Sequence, residues 1–373
     1  MPARTIAPLQ RLAELGQSIW IDYLSRDLLA SGELARLVAE DAVVGVTSNP
    51  SIFEQALAHG EAYDSQLREL LPRGLCGKEL FLALACADVA AGCDLLRPVW
   101  QASGGRDGYV SIEVDPTLAY DALPQYEEAR RLHERIDRPN LLVKIPATTP
   151  GLAAIADSIA EGRSINVTLI FSIERYVAVV GAYLDGLVRL RAAGGDVASV
   201  RSVASFFVSR VDTETDRRLD ALGAPPELKG KLGIANAKLA YARYRELFSS
   251  RDELWGELAA AGAHPQRCLW ASTSTKNPAY RDVLYVEELI GPETVNTMPE
   301  PTLLAFHDHG TAAPTLEQGL DEARRLLVRL AGAGIDYDDV VDTLEVEGIN
   351  KFADAFAKLL AGLEAKTRRL CQQ

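Results

Sequence analysis

Asn140-Leu-Leu-Val-Lys-Ile-Pro-Ala-Thr-Thr-Pro-Gly151 and Ile165-Asn-Val-Thr-Leu-Ile-Phe171 decide the fold. Each is a short aliphatic run in which polar side chains alternate with apolar ones. Side chains on a strand point alternately to opposite faces. Lys144 therefore opposes Val143 and Ile145, while Asn166 and Thr168 oppose Ile165, Val167 and Leu169. The same reading extends outward to runs at 19–22, 43–49 and 109–115, and onward to 203–208, 268–273 and 294–298. Helical patterns separate them. Over 173–191, Tyr176, Val177, Val180, Tyr183, Leu184 and Leu187 fall on one face. Strands alternating with helices in this way predict an α/β chain, a closed (β/α)8 TIM barrel with additional helices. No Gly/Ser-rich linker divides it, so residues 1–373 read as a single domain. Extra helices are expected over 51–101, over 212–265 and at about 315–370, the last packed on the barrel; loops are expected at 101–108 and 223–227.

Bulk properties narrow the function. A net charge of −13 excludes nucleic acid as a general partner, because a phosphate backbone needs a basic footprint. It leaves room for a small phosphorylated ligand held by a local basic cluster. Five cysteines, Cys76, Cys86, Cys93, Cys268 and Cys371, have no C-x-x-C pair and no metal spacing with histidine, and read as reduced thiols. His59, His133, His264, His307 and His309 form no ligand constellation; His307-x-His309 reads as a solvated loop. No apolar leader or membrane span is apparent, so the expected location is the cytoplasm. Monomer and homodimer both stay open.

The polar strand faces carry the chemistry. In Ile19-Trp-Ile-Asp22, Asp22 and Trp20 oppose the isoleucines; in Val110-Ser-Ile-Glu-Val-Asp115, Glu113 shares a face with Ser111 and Asp115; in Val44-Gly-Val-Thr-Ser-Asn49, Thr47 and Asn49 oppose the valines. With the aliphatic faces packed outward on helices, these groups point into the lumen. Gathered at the carboxyl ends of the strands, they form an active site. Burial disfavours a charged lysine, and a neutral one is a nucleophile toward a ketone. The alternatives for Lys144 are snorkelling to water or pairing with a carboxylate. Around a Schiff-base lysine, Glu113 with Thr168 is placed to hold the water that shuttles protons. Asp22 is placed to serve the substrate hydroxyl, and Asn49, Asn166 and Ser205 to bind others. No metal or other cofactor is required, since the protonated imine is the electron sink. The plainer reading makes Asp22 and Glu113 structural partners of Arg26 or Lys144. Asp115, before Pro116, reads as a turn or cap.

Trp20-Ile-Asp22, Thr47-Ser-Asn-Pro-Ser-Ile-Phe53, Val110-Ser-Ile-Glu-Val-Asp-Pro116, Asn140-Leu-Leu-Val-Lys-Ile-Pro-Ala147 and Ile165-Asn-Val-Thr-Leu-Ile-Phe-Ser172 resemble the transaldolase family. So do Ser205-Phe-Phe-Val-Ser-Arg-Val-Asp212 and Gly348-Ile-Asn-Lys-Phe-Ala-Asp354. The motifs run in order over nearly the whole chain, whose length suits the longer bacterial type. The resemblance implies a barrel enzyme of the non-oxidative pentose phosphate pathway. Such an enzyme moves a dihydroxyacetone unit from sedoheptulose 7-phosphate to glyceraldehyde 3-phosphate, giving erythrose 4-phosphate and fructose 6-phosphate. It also implies Lys144 as the Schiff-base lysine, Asp22 as acid/base, and Glu113 with Thr168 as the water-holding pair. Asn49, Asn166 and Ser205 are then ligands of the dihydroxyacetone moiety, and Arg210, joined by Ser274 and Lys276, binds phosphate. Lys276 stands where the family pattern commonly has arginine, and a lysine lacks the bidentate fork. Arg210 has the alternative of pairing with Asp212 or Glu214. Phe207 matches a family position lining the site; a ring without a hydroxyl there suits group transfer over free aldol release. The rivals are a Schiff-base aldolase acting on a sugar phosphate and a non-catalytic sugar-phosphate-binding barrel.

Overall fold

A computed structural model describes residues 7–58 and 61–372; His59 lies outside them. Eight parallel strands close on themselves in chain order. They are β1 (Gln17–Ile21), β2 (Val43–Val46), β3 (Tyr109–Glu113), β4 (Leu141–Pro146), β5 (Ile165–Ile170), β6 (Ser202–Phe207), β7 (Arg267–Ala271) and β8 (Thr294–Met298). β8 returns to β1 in register, with Gln17 opposite Thr294 and Ile21 opposite Met298. Every expected strand is present, and the chain is a (β/α)8 barrel.

Short turns with local caps set the direction of the returning helices. Thr148 accepts the Gly151 N–H at 3.0 Å with Pro150 in the first turn of helix Thr149–Ala160, and Ser172 accepts the Arg175 N–H at 3.0 Å at the start of helix Ile173–Ala192. The amino end of the barrel is bolted by a buried network. Arg267 meets Asp107 at 2.9 Å and donates to Ser18 at 2.8 Å, and Ser18 donates to Asp107 at 2.9 Å. The insertions are helical as expected, with Gly77–Ala102 the longest element between β2 and β3. The last helix, Tyr337–Leu370, lies against helix Pro50–Ala58 and β5. His307 and His309 end helix Glu300–His309 rather than occupying a loop, and each meets a carboxylate, of Asp41 and Asp282 respectively.

Two strands break the expected alternation. Val43 and Val46, rather than Val44 and Val46, join the layer between barrel and helices, because the β1–β2 register shifts between Ile19 and Trp20. Gly45 is needed there, since a Cβ would sit 2.5 Å from the Trp20 ring. Leu169, expected beside Ile165 and Val167, turns to the other side at φ 60° and packs with Phe171 and Phe207. The β5–β6 register breaks at that point. The lumen is also less polar than the alternation implied. Trp20, Leu142, Val203, Leu269 and Val295 fill its middle, so the polar side chains are displaced toward the carboxyl-end mouth.

Candidate active site

Lys144 sits on β4 directly beside Glu113 of β3 and Asn166 of β5. It is 4% exposed. Its Nζ lies 3.2 Å from Glu113 Oε2 and donates to the Ser48 carbonyl at 3.1 Å. The pairing with a carboxylate that sequence left open is thus realised, and it is with the acid expected to serve catalysis. Burial pushes the Glu113 carboxyl up; the Lys144 charge opposes that, and the neighbouring Asp22 charge reinforces it. Thr168 stands two residues further along β5 on the same face as Asn166, and its Oγ1 has no hydrogen-bond partner among the described residues.

Asp22 follows the end of β1. Thr47 donates to its Oδ1 at 2.6 Å, and the Thr47 and Thr297 hydroxyls are 2.7 Å apart. Burial raises its pKa, while Lys144, Thr47 and Arg210 pull it down. Arg26, the alternative partner, is instead bound to Asp88 at 2.7 Å. Two carboxyls biased toward protonation near an amine suit proton transfer in both directions. Asp115 behaves as a cap, accepting the Thr117 N–H at 2.9 Å and pairing with Lys78 at 2.7 Å.

A cavity of ≈ 210 Å³ joins these groups to the rest of the expected set. Asp22, Asn49, Lys144, Thr168 and Ser205 line it together with Phe207, Arg210, Ser274 and Lys276. Asn49 both faces the cavity and accepts the Ile52 N–H at 3.1 Å, starting helix Pro50–Ala58. Glu113 and Asn166 lie behind the lining. Asn166 donates to Ser111 at 3.1 Å and accepts from Ser205 at 2.7 Å, so both ends of its amide are engaged and Ser205 alone of the pair meets the cavity. Arg210, at the start of helix Ser209–Ala221, is held between two rings, 5.0 Å from Phe207 and 5.6 Å from Phe352. Neither alternative partner holds it. Asp212 accepts from Gly233 N–H and the Tyr285 hydroxyl, and Glu214 binds Arg217 and Arg218. Its Nη1 has no hydrogen-bond partner among the described residues. Lys276 donates to Ser274 at 2.8 Å, and its pKa is lowered by burial and by the Arg210 charge. Two cations that repel one another across a shared cavity form a receptor for an anion.

Sequence reading missed Phe352 of helix Tyr337–Leu370. Its ring is 5.8 Å from Lys144 Nζ as well as 5.6 Å from Arg210. The only trace of it in sequence is its place inside Gly348-Ile-Asn-Lys-Phe-Ala-Asp354. Gly348 in that stretch lets the helix approach the barrel, since a Cβ there would meet Leu169 at 3.2 Å and Phe171 at 3.4 Å.

A parallel barrel with a buried amine and two carboxyls at its carboxyl-end mouth defines an enzyme of the lysine-dependent aldol class. A family model described as transaldolase/fructose-6-phosphate aldolase matches residues 19–363. A transaldolase of Frankia alni is 51% identical over 365 residues, 97% of this chain and 98% of the relative. Transaldolase 1 of Streptomyces avermitilis is 52% identical over 369 residues, covering 98% and 97%. A transaldolase of Thermobifida fusca is 52% identical over 357 residues, covering 95% and 96%. The chain belongs to the transaldolase/fructose-6-phosphate aldolase family.

Proposed function

We propose that Lys144 carries the transaldolase reaction of this chain as a Schiff base with its ketose donor. The Lys144 amine adds to the C2 carbonyl of sedoheptulose 7-phosphate, and the carbinolamine loses water with protons passed through Glu113 and a water held with Thr168. Asp22 then takes the proton of the hydroxyl on C4, the C3–C4 bond breaks, and erythrose 4-phosphate leaves. The bonding electrons go to the protonated imine, leaving the dihydroxyacetone unit on Lys144 as an enamine. Glyceraldehyde 3-phosphate takes the vacated place. The enamine carbon adds to its aldehyde, Asp22 returns the proton to the new alkoxide, and hydrolysis of the imine releases fructose 6-phosphate. Asn49 and Ser205 bind the hydroxyls of the three-carbon unit. Asn166 acts through Ser205, whose hydroxyl it fixes. Arg210, with Lys276 and Ser274, takes the phosphate. We read residues 1–373 as one cytoplasmic catalytic domain. Among the described residues no helix is long and apolar enough to cross a membrane.

The observation that carries this reading is the Lys144 amine, 3.2 Å from Glu113 and opening on the same cavity as Asp22 and Arg210. Borohydride added with fructose 6-phosphate, followed by peptide mass mapping, should leave a reduced adduct on Lys144; an unmodified Lys144 peptide refutes the mechanism. Transfer is preferred to free aldol cleavage because the hydroxyl-free Phe207 ring lines the cavity. Donor cleavage should therefore require an acceptor aldose, and equal rates without one would reassign the chain as an aldolase.

A further inference from the structure

A second cavity, of ≈ 530 Å³, opens at the opposite end of the barrel. Tyr109 and Leu141, the first residues of β3 and β4, line it, together with Ser164 and Arg201 just ahead of β5 and β6. Its lining includes three arginines, Arg138, Arg163 and Arg201, and three rings, those of Trp100, Tyr109 and His133. Two of the cations are neutralised. Arg138 grips Asp94 with bonds of 2.6 and 2.9 Å, and Arg163 pairs with Glu161.

Arg201 is different. It donates to the main-chain carbonyls of Ala198, Val200 and Gly104. Its buried Nε has no hydrogen-bond partner, and it forms no ion pair, among the described residues. Arg97 lies over the indole of Trp100, 4.9 Å from the ring, and likewise forms no ion pair among the described residues. A positive charge thus adjoins the indole. Burial pushes His133 down to about 4, so near pH 7 its ring is a neutral flat surface bonded to the Ser164 carbonyl at 3.1 Å. A surplus of guanidinium beside aromatic faces, in a chain of net charge −13, selects a particular ligand chemistry. A planar fork matches phosphate oxygens, and an indole stacks on a flat ring. The volume falls in the range of small-molecule sites, about 300–1,000 Å³.

We propose that this cavity is a second, non-catalytic binding site for a phosphorylated small molecule bearing a flat ring, of the nucleoside diphosphate type, with its phosphates on Arg201 and its ring along Trp100.

Calorimetric titration of the full chain with ADP and with pyrophosphate tests it. ADP should bind, and pyrophosphate, which leaves the indole uncovered, should bind roughly tenfold more weakly. Arg201→Leu and Trp100→Leu should each weaken ADP at least roughly tenfold. Ser199→Glu should do the same by adding a carboxylate to the exposed rim, with every Arg201 bond left in place, so the test survives a misfolded Arg201 variant. Arg210→Ala, at the catalytic phosphate end, should leave ADP affinity unchanged. No heat with millimolar ADP, equal affinity for pyrophosphate, or binding lost in Arg210→Ala but kept in Ser199→Glu would overturn the proposal.

Discussion

Asp212→Asn should make this protein more stable above neutral pH while leaving it nearly unchanged in acid. Asp212 is 1% exposed. It accepts the Gly233 N–H at 2.6 Å and the Tyr285 hydroxyl at 2.9 Å. Neither donor carries a charge, and Asp212 forms no ion pair among the described residues. Burial therefore dominates and raises its pKa from 3.8 to about 7; hydrogen bonds from Gly233, Tyr285 and the Leu232 backbone oppose the rise and the nearby Asp216 charge adds to it. The folded state thus binds the proton more tightly than the unfolded chain. The resulting stability is complete below about pH 4, declines from there to about 7, and is gone above that. At 1.36 kcal/mol per unit of pKa, the decline amounts to about 4 kcal/mol. Asparagine does not titrate. It keeps an acceptor for Gly233, and Tyr285 can turn its hydroxyl to accept from the amide. Urea midpoints of both proteins from pH 5 to 8, at unchanged slope, measure the effect. The variant should gain roughly 2–4 kcal/mol over wild type by pH 8. Curves that stay parallel across this range would refute the reasoning.

Three further outcomes bear on the catalytic end. Lys144→Met should abolish turnover and the borohydride adduct. It also strips Glu113 of its counter-charge, raising that pKa further, so the variant should lose stability with rising pH more steeply than wild type; full turnover, or an identical pH–stability curve, contradicts the pairing. Glu113→Gln should lower kcat by about 10²–10⁴ with KM little changed, because proton transfer rather than binding is lost; a change confined to KM assigns Glu113 to binding. Phe352→Leu removes a ring shared by two cations, worth about 1–2 kcal/mol where water is excluded. KM for a phosphorylated acceptor should rise roughly five- to thirtyfold, and an unchanged KM would show that Phe207 alone positions Arg210.

The barrel was legible because its strands are punctuated by Pro, Gly and Ser/Thr caps, and because aliphatic and polar residues alternate within them. The reading failed where the backbone leaves regular pleating. Nothing local marks Leu169 as a residue with positive φ, and the step in register beside Trp20 follows from the bulk of an indole facing Gly45 across two strands. Within the site, side chains on adjacent strands could be placed together, since neighbouring parallel strands bring Glu113, Lys144, Asn166 and Thr168 side by side. Asn166 and Glu113 still lie behind the cavity lining, and the Asn166 amide is taken up by Ser111 and Ser205, contacts visible only in three dimensions. Phe352 was out of reach for a different reason: it stands more than two hundred residues beyond Lys144 in a separate helix, and helical periodicity identifies it only as apolar.

The hydroxyl pair of Thr47 and Thr297 crosses the seam where the ring of strands shuts, and it is through Thr47 that the Asp22 carboxylate is held. During synthesis the first strand must wait with an open edge until the eighth emerges from the ribosome, a delay that long-range closure imposes on folding. The hydroxyl support of Asp22 is therefore among the last features to assemble. A polypeptide cut short before the eighth strand would carry Lys144 but would lack Thr297, and with it the hydroxyl that Thr47 meets while it holds Asp22.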